Sequence, residues 1–153
     1  MKIRVERASI VDFKCDLLAV NVFEGEKKLE GESAAADKAL KGLISRLIRG
    51  GEIDGKLGKA TLIHCHQGLK ADKVVGVGLG KKEKLDLEAV RTAASAVIKK
   101  AKETKAEKVA SIVHGSGCGC LDPADSAKAV VEGSVLGVYK FPGYAKEKET
   151  PDF

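Results

Sequence analysis

Residues 16–23 (DLLAVNVF) form an apolar run only as long as one strand, with no polar face. Such a run reads as a strand covered on both sides, as in α/β sheets. The rest of the chain supplies the covering layers. Residues 2–6 alternate charged and apolar positions, with Ile3 and Val5 on one face, which predicts a half-buried strand. After a charged loop over residues 24–32, Ser33 is placed to cap a helix whose inner stripe is Ala36, Leu40, Leu43, Ile44 and Leu47, ended by Gly50 and Gly51. Residues 60–65 and 73–77 read as the two strands of an antiparallel hairpin. Asp86 caps a second helix with the stripe Leu87, Val90, Ala94, Val97, Ile98 and Ala101. Residues 108–113 read as another buried strand. Asp122 followed by Pro123 marks the start of a last helix, because a proline at the first helical position loses no hydrogen bond. That helix has the stripe Ala127, Val130, Val131, Ser134, Val135 and Val138, with Gly133 and Gly137 allowing close packing on the sheet. The order is β, β, α, β, β, α, β, α, which predicts an α/β fold of three layers: a mixed, mostly parallel sheet flanked by helices.

Composition narrows the function classes. The chain has 153 residues, 44% of them hydrophobic, enough for one domain with its own core. The excess of 27 basic over 22 acidic residues gives +5, but the charges are interleaved, as on a solvated surface. With no Trp, four Phe and two Tyr, the chain lacks the aromatic set that stacks single-stranded nucleic acid. No apolar stretch approaches the ~20 residues of a membrane span. Residues 1–9 do not read as a signal peptide, so the expected compartment is the cytoplasm. There a disulfide framework among Cys15, Cys65, Cys118 and Cys120 is not expected.

Three segments could bind something. The run Gly76-Val77-Gly78-Leu79-Gly80-Lys81 follows a strand, but its spacing fits neither a dinucleotide fingerprint nor a P-loop, so it reads as a structural turn. His64 and His66 of His64-Cys65-His66 share a strand face and could begin a zinc site with Cys15, His114, Cys118 or Cys120, although the spacing matches no standard zinc motif. The loop Gly115, Ser116, Gly117, Cys118, Gly119 runs through Cys120 into the helix capped by Asp122. Its successive amides and the helix dipole make it the expected anion or ligand site. Ser33, Ser116 and Ser126 lack His and acid partners at a recognisable spacing, and no His-Glu-x-x-His is present, so no hydrolytic constellation is expected in this chain.

The order of several short stretches resembles the N-terminal domain of the leucyl aminopeptidase (cytosol aminopeptidase) family. They are Asp16-Leu17-Leu18-Ala19-Val20 with Phe23-Glu24-Gly25; Ala36-Asp37-Lys38-Ala39-Leu40-Lys41-Gly42-Leu43-Ile44; Gly55-Lys56-Leu57-Gly58; Val77-Gly78-Leu79-Gly80-Lys81 leading to Val90-Arg91; and Val131-Glu132-Gly133, Leu136-Gly137 and Tyr139-Lys140-Phe141. The resemblance implies a macro-domain-like domain over residues 1–145, with residues 146–153 beginning a linker to a catalytic domain. In that domain two divalent ions, zinc or manganese, activate water to release N-terminal residues from peptides. It further implies no metal or catalytic residue in this chain, a partner in the chain's own catalytic domain, homohexamers of the full-length protein, and a monomer for this chain alone. Some bacterial members of the family also bind DNA, which makes a DNA-binding regulatory domain one alternative, and ADP-ribose or nucleotide binding is the alternative that the macro fold itself suggests. Where macro domains carry an Asn-rich segment, this sequence has one Asn and two acids, Glu24 and Glu26, over residues 21–28, and those acids oppose a diphosphate.

Overall fold

The computed structural model describes residues 1–65, 67–115 and 121–139. They form β1 (Cys15–Val22), α1 (Gly31–Ala39), α2 (Leu43–Arg49), β2 (Ala60–His64), β3 (Ala71–Gly78), α3 (Leu87–Glu103), β4 (Val109–Ser111) and α4 (Pro123–Val138). The sheet order is β2-β3-β1-β4. β1 runs parallel to both β3 and β4, and β2 is antiparallel to β3. The mixed, mostly parallel sheet and the 60s–70s hairpin are as the sequence reads.

β1 is covered on both faces. Leu18, Val20 and Val22 pack with Ala36, Leu40 and Ile44 from the α1–α2 side, while Leu17 and Ala19 pack with Ala93, Val97 and Ala101 of α3. This is the two-sided burial that an unalternating strand demands.

Five expectations are corrected. Residues 2–6 are not a strand; they lie outside any element, with Ile3 41% and Val5 81% exposed. The helix expected from Ser33 through Leu47 is two helices. Lys41 (φ 56°) and Gly42 (φ 80°) adopt left-handed backbone, and Gly42 N donates to Asp37 O to close α1. The Asp37 carboxylate then caps α2 by accepting from Ser45 N at 3.0 Å and from the Ser45 hydroxyl. β4 is a short edge strand and only half-buried. Along α4 the buried positions are Ser126, Ala129, Gly133 and Gly137, with Val135 exposed, and the glycines meet α3 rather than the sheet.

Ser33 is not a cap either. It sits inside α1, fully buried, and its hydroxyl binds the end of β1: Asn21 N donates to it at 3.2 Å, and it faces Asn21 O at 3.0 Å and Asn21 Oδ1 at 2.7 Å. Its one proton serves one of the two acceptors at a time. Ser33→Ala leaves these groups short of a partner, and we expect a loss of about 1–2 kcal/mol in urea unfolding. An unchanged midpoint would show that this link contributes nothing.

α3 and α4 are tied by an ion pair and a cap. Arg91 Nε donates to Glu132 Oε2 at 2.7 Å, and Lys102 Nζ donates to the α4 carbonyls of Gly137 (3.1 Å) and Val138 (2.9 Å), where a cation opposes the helix dipole. No helix among the described residues is long and apolar enough to cross a membrane.

Candidate functional site

The strand order creates a crevice. β1 is followed by α1 on one face of the sheet, while β4 is followed by α4 on the side of α3, so the chain departs in opposite directions from neighbouring parallel strands. Open α/β sheets bind ligands at the carboxyl ends of such strands. A cleft of about 330 Å³ lies there, walled by Asn21, Val22 and Phe23 at the end of β1, residues 29–32 at the start of α1, Lys82, and residues 111–113 at the end of β4.

Its electrostatics are mixed. Glu6, Glu26, Glu30 and Glu32 line it together with Arg7, Lys28 and Lys82. Lys82 Nζ lies 3.2 Å from Glu30 Oε2 and 5.8 Å from the Phe23 ring centre. Glu30 is the residue before α1 and Glu32 lies in its first turn, so two carboxylates already occupy the positive end of the helix dipole. A diphosphate placed there would meet their charge.

Of the expected ligand loop only Gly115 is described, and it is not among the residues lining this cleft. It has φ +79° and its Cα faces Leu85, Leu121 and Val90; Ser116, Gly117, Cys118 and Gly119 lie outside the described residues, as do His66 and Cys120. Beside the loop, His114 is fully buried. Its Nε2 is 3.0 Å from Ser111 Oγ, which also lies 2.8 Å from Ile112 O. Either Nε2 donates to this hydroxyl or the hydroxyl donates to Nε2, according to the tautomer, and among the described residues the buried Nδ1 has no partner, like Ser126 Oγ on α4. Burial pushes His114 down to about 4, so the ring is neutral at physiological pH.

The remaining candidates separate. The amides of Gly78, Leu79 and Gly80 donate to Lys59 O, Val22 O and Gly55 O, which leaves them unable to cradle phosphate; the stretch ends β3 and binds it to its neighbours. His64 is exposed at the end of β2. Cys65 Sγ lies 3.4 Å from Ala71 O, and Cys15 is buried in β1. Burial raises both thiols, Cys15 to about 11, so neither is a thiolate nucleophile at neutral pH. Among the described residues no group of three His, Cys, Asp or Glu side chains could hold a metal ion. The sequence reading missed the cleft at Asn21, residues 29–32 and residues 111–113, because only the strand order brings these segments together.

The family model described as the cytosol aminopeptidase family, N-terminal domain, matches residues 19–148. The chain belongs to the cytosol aminopeptidase family. A probable cytosol aminopeptidase of Sulfurihydrogenibium sp. is 34% identical over 97% of this chain and 29% of its own length, and one of Alkaliphilus metalliredigens is 31% identical over 97% of this chain and 30% of its own length. The chain thus spans just under a third of these relatives. Tomato leucine aminopeptidase superposes with a TM-score of 0.70 at 23% identity, over 93% of this chain and 29% of that one. The macrodomain of Mycobacterium tuberculosis DarG superposes equally well, at 0.70 and 16% identity, over 86% of this chain and 88% of that one. The N-terminal domain of the cytosol aminopeptidase family is therefore a macrodomain-like α/β fold in this chain, as the sequence resemblance implied.

Proposed function

We propose that this domain is a non-catalytic, structural and regulatory part of a cytosol aminopeptidase, the peptide-cleaving chemistry and its two divalent ions, zinc or manganese, belonging to a separate catalytic domain. The observation that carries the reading is the family match over residues 19–148 in a chain that spans under a third of its relatives. In this reading the domain's partner is that catalytic domain, the full-length protein assembles as a homohexamer, and this chain alone is a monomer. The working compartment is the cytoplasm.

The test is direct. The purified 153-residue chain, incubated with a chromogenic leucine amide and Mn²⁺ or Zn²⁺, is expected to release no leucine above a metal-only control. Saturable release that scales with protein concentration would overturn the reading. The macrodomain likeness favours a second reading, an ADP-ribose site in the cleft, but the carboxylates at the start of α1 weigh against it. Millimolar ADP-ribose is accordingly expected to leave the melting temperature unmoved.

A further inference from the structure

One side of α4 carries Asp125, Lys128, Glu132, Val135 and Tyr139 at spacings of three and four, a single stripe along the helix and its C-cap. It lies beside the side that meets α3 through Gly133 and Gly137. Its first three members are charged, as a solvated side requires. Its last two are apolar and exposed, Val135 at 52% and Tyr139 at 66%, with Leu136 next to them at 63%. The change falls in the last turn. From there the apolar end continues across α3. A cleft of about 330 Å³ runs between Leu136 and Gly58 over Thr92, Ser95 and Ala96 of α3, and Leu57, the neighbour of Gly58, is also half exposed. Large apolar side chains are thus exposed at or next to each end of a floor of small ones.

The position and size of this face point to its occupant. The N-terminal-domain match of the family runs through α4 to residue 148. The Sulfurihydrogenibium relative has more than two thirds of its length outside its match to this chain. In that relative the rest of the chain therefore follows on the end of α4, the turn at which the stripe becomes apolar. The face exposes roughly a few hundred Å² of apolar surface, short of the ~800 Å² per partner typical between free proteins. A domain joined to the end of α4 needs less, because a short connection raises its effective concentration to about the millimolar range.

We propose that the apolar end of α4, formed by Val135, Leu136 and Tyr139, together with the cleft over Thr92, Ser95 and Ala96, is the surface on which the catalytic domain seats in the full-length aminopeptidase. The charged part of the stripe lies outside the contact, which is confined to the end of the helix nearest the connection. The seated domain presents apolar side chains to the cleft, where the small floor residues admit a close approach and so fix how the two domains sit. The inference rests on the aminopeptidase reading.

Carbene footprinting with a photolysed diazirine, which labels any exposed side chain, tests this. It is applied to the 153-residue chain alone and to the Sulfurihydrogenibium protein with its matching N-terminal part replaced by this chain. Alone, Val135, Leu136 and Tyr139 should label readily, as the exposed Val5 does. In a graft that releases leucine from a leucine amide, labelling of all three should fall ~10-fold, as for side chains in a desolvated interface core, with Lys128 unchanged. Unchanged labelling in the active graft would overturn the proposal. So would weak labelling of the chain alone, which would mean that residues 140–153 or a second copy already cover the face. If the graft is inactive, the unaltered Sulfurihydrogenibium protein decides. Weak labelling at the positions aligned with 135, 136 and 139, against strong labelling at those aligned with 125 and 128, supports the surface, and equal labelling refutes it. Failure of the aminopeptidase reading shows separately, as leucine release by the 153-residue chain alone.

Discussion

Gly133→Ala is expected to destabilise the domain by about 2 kcal/mol, although alanine is the better helix former. In an exposed helix interior the change would gain ~1 kcal/mol. Here a Cβ at Gly133 would stand 2.2 Å from Arg91 O and 2.7 Å from Arg91 Cα. Those are backbone atoms of α3, so no side-chain rotation relieves the clash and the two helices must move apart. Overpacking of a tight contact costs roughly 1–3 kcal/mol, and a backbone obstacle belongs at the upper end, leaving the net loss stated. The displacement also pulls on the pairs that tie these helices, Arg91 with Glu132 and Lys102 with the Gly137 and Val138 carbonyls. For a chain of this size the loss lowers the melting temperature by roughly 4–8 °C. Val135→Ala, on the exposed side of α4, should change stability by less than about 0.5 kcal/mol. If Gly133→Ala melts at or above the native temperature, α3 and α4 do not touch backbone to backbone.

Acid should weaken the fold before ordinary carboxylates titrate. His114 is wholly buried and its folded value is about 4, against 6.5 for a free imidazole. Between those values the unfolded chain binds a proton that the folded chain excludes, so stability falls as the pH falls. This contribution is complete above about 6.5, is lost progressively down to about 4, and is flat below. The full shift corresponds to about 3 kcal/mol, and the part lost between pH 7 and pH 5 is about 2 kcal/mol. The carboxylates of Asp16, held down by the Lys108 and Glu107 amides, and of Glu132, held down by Arg91, also lose their contributions in acid. Their folded values are lowered, so that loss falls mainly below pH 5 and leaves the upper window to the histidine. Urea unfolding of native protein and His114→Gln at pH 7 and pH 5 separates the two. The native chain should lose about 2 kcal/mol over this interval and the variant much less. Parallel slopes would mean that His114 is charged or solvated in the folded state.

The sequence by itself determined the elements whose signals are local. The unalternating residues 16–23 specify a central strand because no polar face is available to meet water. Asp86 and Asp122 mark helix starts because a carboxylate there satisfies amides that would otherwise lack partners, and both accept from their first turns, Asp86 from Ala89 N and Asp122 from Ala124 N. The ordered stretches of family resemblance were legible in the same way. Tertiary structure decided what depends on the approach of distant segments. Valines made the better inner stripe on α4 by hydropathy, yet contact with the α3 backbone at Arg91 and Ser95 selected Ser126, Ala129, Gly133 and Gly137, since only small side chains admit that distance. Ser33 left the cap position to bind Asn21 twelve residues away, and Asp37 became the cap of a helix it does not belong to. Residues 2–6 carry a strand's pattern but lack a ladder, because a pattern states which face a segment can bury while pairing requires an edge in register. The cleft at the ends of β1 and β4 belongs to the same class. Its walls lie some ninety positions apart in the chain, and only the order β2-β3-β1-β4 makes them neighbours.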